Sequence, residues 1–262
     1  MEHISKAQIK LIRSLQHKKY RDESGLFVAE GEKCIEELRK AFELELMVRS
    51  QETRDESRET RDERREKIVV ASQTEIEQMS GLRTPQGVIA VFRKPKAQHI
   101  ADCRLLNSNL TLALDGIQDP GNLGTIIRTC DWFGVKEILC SLDTADCYNP
   151  KVVQATMGGL ARVRIRYVDL VEFLKEYRVQ NTEYRPIYGT LLEGRNMYEE
   201  GAIPTKEGGV IIMGNEGNGI SAEVRKYITH PLRIPAYKEA SDTIESLNVA
   251  IATAIVLAEF RR

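Results

Sequence analysis

From Asn109 onward, short apolar runs alternate with longer stretches whose apolar residues recur at helical spacing. The runs at 110–114, 137–140, 162–168, 186–190, 209–213 and 232–235 read as strands. The stretches at 123–133, 150–157, 170–177, 221–227 and 247–262 read as helices; Gly134 and Gly158-Gly159 end the first two, and Ser221 is the expected N-cap of the fourth. Strands and helices in alternation predict a mostly parallel sheet covered by helices. Ligands of such sheets bind beyond the C-terminal ends of the strands.

Residues 1–93 carry a different pattern. Helical spacing covers 7–15, and an amphipathic stripe of Ile35, Leu38, Ala41 and Phe42 marks a helix over 32–42. Strands are expected at 26–29, 44–48, 68–71 and 87–92, with a short helix over 74–79 capped by Thr74. This half is a small α/β sandwich, 94–108 a linker and 109–262 a second domain. Between two strands of the first half, Glu52 to Arg58 is duplicated almost exactly by Glu59 to Arg65, with no apolar residue to bury. It fits a solvated helix held by i, i+4 pairs or a loop.

Net charge is −1 and 42% of residues are hydrophobic, so the chain holds real cores and its overall charge selects no partner. Cys34, Cys103, Cys130, Cys140 and Cys147 are scattered, with no metal-ligand spacing, and read as reduced thiols of a cytosolic protein. No metal and no membrane association is expected: 247–260, interrupted by Asn248, Thr253 and Glu259, suits a buried helix better than a span. Local charge is more informative. Lys6, Lys10, Arg13, Lys18, Lys19 and Arg21 stand against the single acid Glu2, which makes this segment the first candidate for nucleic-acid phosphates. Arg162, Arg164 and Arg166 alternate along one expected strand and share a face, either for phosphate or as a solvated or dimer-facing edge.

Three segments carry chemistry. The first, Leu114 to Cys130, joins a buried strand to a turn, Asp115-Gly116-Ile117-Gln118-Asp119-Pro120-Gly121, and a helix that opens at Asn122 and carries Arg128. The second is Gly214-Asn215-Glu216-Gly217-Asn218-Gly219-Ile220-Ser221, and the third Ser246-Leu247-Asn248-Val249-Ala250. Neither a G-x-G-x-x-G nor a phosphate-loop fingerprint occurs at the start of an α/β unit. Each group has an ordinary reading too: Asn122 and Ser246 as helix caps, Glu216 as an acid favoured near a helix start, Arg128 as a surface cation, and the glycines as a plain strand-to-helix turn.

Together and in this order, the three segments resemble the motifs of the SpoU/TrmH-type RNA ribose 2′-O-methyltransferases of the SPOUT superfamily, and Asn149 to Leu160 resembles a family stretch between the first two. Residues 1–93, with Phe27-Val28-Ala29-Glu30-Gly31, look like the small substrate-binding domain of many members. The resemblance implies a C-terminal trefoil knot, an S-adenosylmethionine site, a homodimer, and an RNA substrate, ribosomal or transfer. It makes Thr190, Leu191, Gly214, Ile234 and Leu247 cofactor contacts, and Asn122, Arg128, Glu216, Ser246 and Asn248 catalytic positions. Arg128 is the family's proposed base, but a guanidinium is hard to deprotonate, and stabilising an alkoxide suits it better. In one place the chain departs from the pattern: 236–245 is longer than the usual loop and has no glycine. A non-catalytic RNA-binding protein of the same fold, or methylation of a base nitrogen, are the competing readings.

Overall fold

The computed structural model describes residues 2–51, 67–95, 110–180, 185–204, 208–237 and 246–262. The charged repeat at 52–65, nearly all of the linker, Cys103 and most of the 236–245 loop lie outside the described residues. The chain forms two compact units, Met1–Ala97 with Asp146–Arg162, and Gln98–Ala145 with Val163–Arg262.

In the first unit, β1 (Glu2–His3), β2 (Leu26–Glu30), β3 (Leu44–Ser50), β4 (Ile68–Ala71) and β5 (Val88–Arg93) form a five-stranded sheet in the order β1-β4-β3-β5-β2. The β1–β4 and β3–β4 pairs are parallel, while β5 runs antiparallel to both β2 and β3. Helices α1 (Lys6–Ser14), α2 (Lys18–Ser24), α3 (Glu32–Leu38) and α4 (Gln73–Met79) accompany it. Ile12, Leu15, Val28, Val48, Val69, Ile76 and Val91 belong to one continuous core cluster. The N-cap of α4 is Ser72 rather than Thr74: Ser72 and Glu75 make a reciprocal capping box, which satisfies two otherwise orphaned amides.

Asp146–Arg162 belongs to this first unit, although the sequence reading placed 109–262 together. It contains α6 (Pro150–Ala155) and a single 3-10 turn, Gly159–Ala161. Tyr148 packs its ring against Phe27 at 4.9 Å and Phe42 at 6.3 Å between centroids. Gly158 has φ +88°, and a Cβ there would come within 2.5 Å of the Glu37 Cβ. Arg21, expected among the RNA-binding cations, is 1% exposed. Its Nε and Nη2 donate to Asp146 Oδ2 at 2.9 and 2.7 Å, and its Nη1 donates to the carbonyls of Leu15 and Gln16 at 2.8 and 3.0 Å. A guanidinium so enclosed has no face left for a phosphate, so Arg21 leaves the candidate RNA surface.

The triplet Arg162, Arg164 and Arg166 also resolves differently from its spacing. The strand begins at Arg164, so Arg162 lies off it and pairs with Glu37 in the first unit. Arg166 Nε lies 2.6 Å and Arg164 Nη1 3.6 Å from Glu137. Burial raises the Glu137 carboxyl above its usual range, against the pull of these two cations. Carboxylates on neighbouring elements hold Arg162 and Arg166, while Arg164 stays largely exposed.

The second unit is built on β6 (Leu110–Asp115), β7 (Glu137–Cys140), β8 (Arg164–Tyr167), β9 (Ile187–Asn196), β10 (Gly209–Gly214) and β11 (His230–Arg233). They make a six-stranded sheet, order β11-β9-β10-β6-β7-β8, with every pair parallel. Helices α5 (Pro120–Trp132), α7 (Leu170–Gln180), α8 (Ala222–Arg225) and α9 (Val249–Arg261) complete it. Every residue of β6 and β7 is buried, as parallel strands covered on both faces require. The chain runs outward through β6, β7 and β8, then returns to the other side of β6, so the order reverses between β6 and β10. Such a switch point is where open parallel sheets bind ligands.

Replacing Arg21 by alanine strands Asp146 in a buried pocket. We expect full-length Arg21→Ala to lose about 3–5 kcal/mol of stability in urea unfolding. A loss comparable to that of an exposed surface cation would contradict the buried clamp.

Candidate active site

The site grows from one register. Gly214 at the end of β10 lies opposite Asp115 at the end of β6, so the loops that follow leave the sheet side by side. After β6, Gly116 turns with φ +72° and Asp119 caps α5, accepting from Asn122 N at 2.7 Å, with Pro120 in the first helical turn. The helix therefore opens at Pro120 rather than Asn122. Because Asp119 takes the capping task, the Asn122 side chain is released for other partners.

Those partners come from both later motifs. Asn122 Nδ2 donates to Glu216 Oε1 at 2.5 Å, and Asn248 Nδ2 donates to Asn122 Oδ1 at 2.9 Å. Asn248 is also the N-cap of α9, its Oδ1 accepting from the amides of Ala250 and Ile251 at 3.0 and 3.2 Å. Ser246 is therefore not the cap; it lies exposed two residues earlier. The three polar side chains form one directed chain, from the α9 cap through Asn122 to the Glu216 carboxylate. Residues 94 and 126 positions apart meet here.

Arg128 stays apart from this chain. Six positions along α5 carry it about 9 Å from Asn122 and leave it about 120° away around the helix axis. It is exposed, and among the described residues it makes no hydrogen bond or ion pair.

The loop after β10 folds back on itself. Asn215 N donates to Gly219 O at 3.0 Å and Gly219 N to Asn215 O at 2.9 Å. A Cβ on Gly214 would fall 2.3 Å from Gly219 C and 2.4 Å from Ile220 N. This backbone contact is what demands glycine. Ser221 stands at the α8 N-cap without a side-chain capping bond; its amide instead donates to Asp115 Oδ2 at 2.7 Å, a second link between the β6 and β10 ends.

Of the expected cofactor positions, Gly214 ends β10, and Thr190 and Leu191 lie on β9, its neighbour in the sheet. Gly189 on β9 is level with Ile212 on β10, which brings Thr190 and Leu191 alongside Met213 and Gly214. Thr190 Oγ1 donates to Ile212 O at 3.4 Å. On β11 the register jumps from Pro231↔Gly189 to Leu232↔Arg195, so β9 bulges out over 190–194. Ile234, half-buried, follows the end of β11, and Leu247, 44% exposed, precedes α9. Among the described residues no group of three or more metal-binding side chains occurs.

Residues 109–258 match the model of the SpoU rRNA Methylase family. The chain belongs to the SpoU rRNA methylase family. Residues 6–90 match an MRM3-like substrate binding domain. The chain is 30% identical over 263 residues to the 23S rRNA (guanosine(2553)-2′-O)-methyltransferase RlmP of Bacillus subtilis, covering 100% of this chain and 98% of that one. A Porphyromonas gingivalis structure assigned to the TrmH family is 38% identical, with a TM-score of 0.84 and 98% of each chain covered. An AdoMet-bound rRNA methyltransferase from Sinorhizobium meliloti is 28% identical, with a TM-score of 0.78, covering 100% of this chain and 96% of that one. The polar chain on Asn122 thus lies in the SpoU segment, and the exposed cations of α1 and α2 in the substrate-binding segment.

Placing a methyl group at Gly214 of this SpoU fold forces two backbone segments apart. Gly214→Ala is expected to lower stability by about 1–3 kcal/mol, read as a shifted urea midpoint. An unchanged midpoint would show that the loop re-lays without strain.

Proposed function

We propose that this protein transfers the methyl group of S-adenosylmethionine to a ribose 2′-hydroxyl of ribosomal RNA. The observation that carries the reading is the Asn248–Asn122–Glu216 chain at the switch point of the parallel sheet, in a member of the SpoU family. Two neutral amides and one carboxylate in a fixed donor direction suit the orientation of a hydroxyl group. The end-to-end relative is named for a guanosine of 23S rRNA, so 23S rRNA is the first substrate to assay.

S-adenosylmethionine supplies an electrophilic methyl on a sulfonium. Leu191, Ile234 and Leu247 would hold its apolar parts, and Thr190 and the Gly214 backbone its polar ones. Asn122 and Asn248 orient the ribose, with Ser246 beside them, while Glu216 fixes the Asn122 amide. The planar fork of Arg128 would stabilise the developing alkoxide and grip the adjacent phosphate; the 2′-hydroxyl proton would pass to solvent water as S-adenosylhomocysteine leaves. Holding hydroxyl, methyl and sulfur in line contributes much of the rate.

The reading includes a homodimer through α5 and α9, which pack together. Trp132 is 85% exposed on α5, and Ile251 is 54% exposed on α9. Arg128 lies one turn before Trp132 on the same face, so a partner covering that face receives Arg128 into its own site, which accounts for its distance from Asn122. The reading also carries the trefoil knot: β11 lies at the sheet edge beyond β9, whereas α9 packs on α5 and β10. In the first unit, Lys6, Lys10 and Arg13 are exposed at i, i+4, i+7 on α1, and Lys18 and Lys19 on α2, a cationic surface for RNA phosphates.

Full-length protein with 23S rRNA and S-adenosylmethionine should produce a 2′-O-methyl nucleotide detectable by mass spectrometry. Arg128→Ala should slow this by at least about 100-fold while calorimetry finds cofactor affinity nearly unchanged. Failure of the wild-type protein to bind S-adenosylmethionine, or full activity of the variant, would overturn the reading. For the dimer, Trp132→Glu should convert the light-scattering mass from two chains to one and remove methyl transfer with it; a persistent dimer would place the interface elsewhere.

A further inference from the structure

Asn215 is given no role by the family resemblance, yet its side chain joins the two loops that carry the site. Its Oδ1 accepts from Gly217 N at 2.9 Å and Asn218 N at 3.1 Å, and its Nδ2 donates to Gly116 O at 2.7 Å. The two halves of the amide do different things. The carbonyl half closes the 215–218 turn upon itself, as asparagine commonly does in turns. The NH2 half reaches across to the loop after β6. Its acceptor there is firmly placed: Gly116 N donates to Ser141 Oγ at 2.8 Å, and Ser141 Oγ donates to Asp143 Oδ1 at 2.6 Å. Ser141 lies directly after β7, so the ends of three adjacent strands, β7, β6 and β10, are connected through Gly116.

Glu216 depends on this arrangement. It is exposed, and among the described residues its hydrogen bond is to Asn122. Among the described residues no other side chain holds the carboxylate, so its position follows from the backbone of the turn that Asn215 closes and anchors. We infer that Asn215 is a positioning residue: by tying the turn after β10 to the Gly116 carbonyl it sets Glu216 against Asn122, and so aligns the ribose side of the site. The consequence for catalysis rests on the methyltransferase reading; the tie itself does not. The neighbouring link from Ser221 N to Asp115 Oδ2, at 2.7 Å, keeps the two strand ends joined when Asn215 is altered, so variants at 215 retain the fold.

Two substitutions separate the halves of the amide. Asn215→Asp keeps an oxygen for the Gly217 and Asn218 amides but replaces the donor to Gly116 with a second oxygen. Asn215→Ser keeps a turn-forming acceptor, is too short to reach Gly116, and adds no charge, so agreement between the two removes charge as the cause. Hydrogen exchange on the full chain, followed by mass spectrometry, should speed up in both 116–123 and 214–220 while the rest is unchanged. Unaltered protection of 116–123 would overturn the inference. Turnover at saturating S-adenosylmethionine should fall by about 100-fold, the scale expected for a misplacement near 1 Å, with KM for S-adenosylmethionine nearly unchanged. Wild-type turnover in either variant, or a loss confined to KM, would equally overturn it. If the wild-type protein binds S-adenosylmethionine but methylates no rRNA, the proposed function fails, while the exchange result still decides the tie.

Discussion

The parallel pairing of β6 with β10 is the constraint on which the candidate site depends. Both strands are buried almost throughout, so their register is specified by packing on two faces at once. A slip of one residue would carry the loop after β10 about 3.3 Å along the strand. That displacement exceeds the tolerance of any hydrogen bond, and the 2.5 Å contact between Asn122 and Glu216 would be lost. The side-chain links from Asp115 to Ser221 and from Asn215 to Gly116 then act on loops that the ladder has already brought together. Local chemistry refines a position that backbone pairing decides.

The first unit shows a comparable dependence on one interaction. A buried guanidinium is costly unless every donor direction is met. Arg21 meets that demand with one carboxylate and two carbonyls, and the carboxylate comes from a segment 125 residues away. The Tyr148 ring likewise packs beside Phe27 and Phe42, and burial raises its phenol above the ordinary range. Together these contacts draw Asp146–Arg162 out of its sequence neighbourhood and into the first unit.

Cations in this protein consequently divide by pairing. Arg21, Arg162 and Arg166 are absorbed by Asp146, Glu37 and Glu137. The exposed ones on α1 and α2 remain the cationic surface, and Lys19 adds only a loose 3.9 Å pair with Glu23. A net charge of −1 therefore conceals a local basic face on α1, which itself carries no acid.

What the sequence determined by itself was the succession of elements and the identity of the polar set. Apolar runs and helical spacing marked ten of the eleven strands among the described residues and most helices, because burial imposes those patterns on the residues themselves. It missed β1, two residues long, and α2, whose apolar content is too low to show a stripe. The cap expected at Thr74 is Ser72, and at Asn122 and Ser246, whose ordinary reading was a cap, Asp119 and Asn248 do the capping. Several adjacent residues were chemically able to cap, and only the realised backbone dihedrals select one. The motif residues Asn122, Glu216 and Asn248 were legible as a set, but their order of donation was not. Tertiary structure alone decided that Asn215 links two loops, that Arg21 is a buried clamp, that Arg162 and Arg166 are spoken for, and that Arg128 stands away from Asn122. Each is a question of which distant group occupies the space beside a side chain. Sequence spacing carries no information about a partner 100 residues away until the strands that bear both are paired.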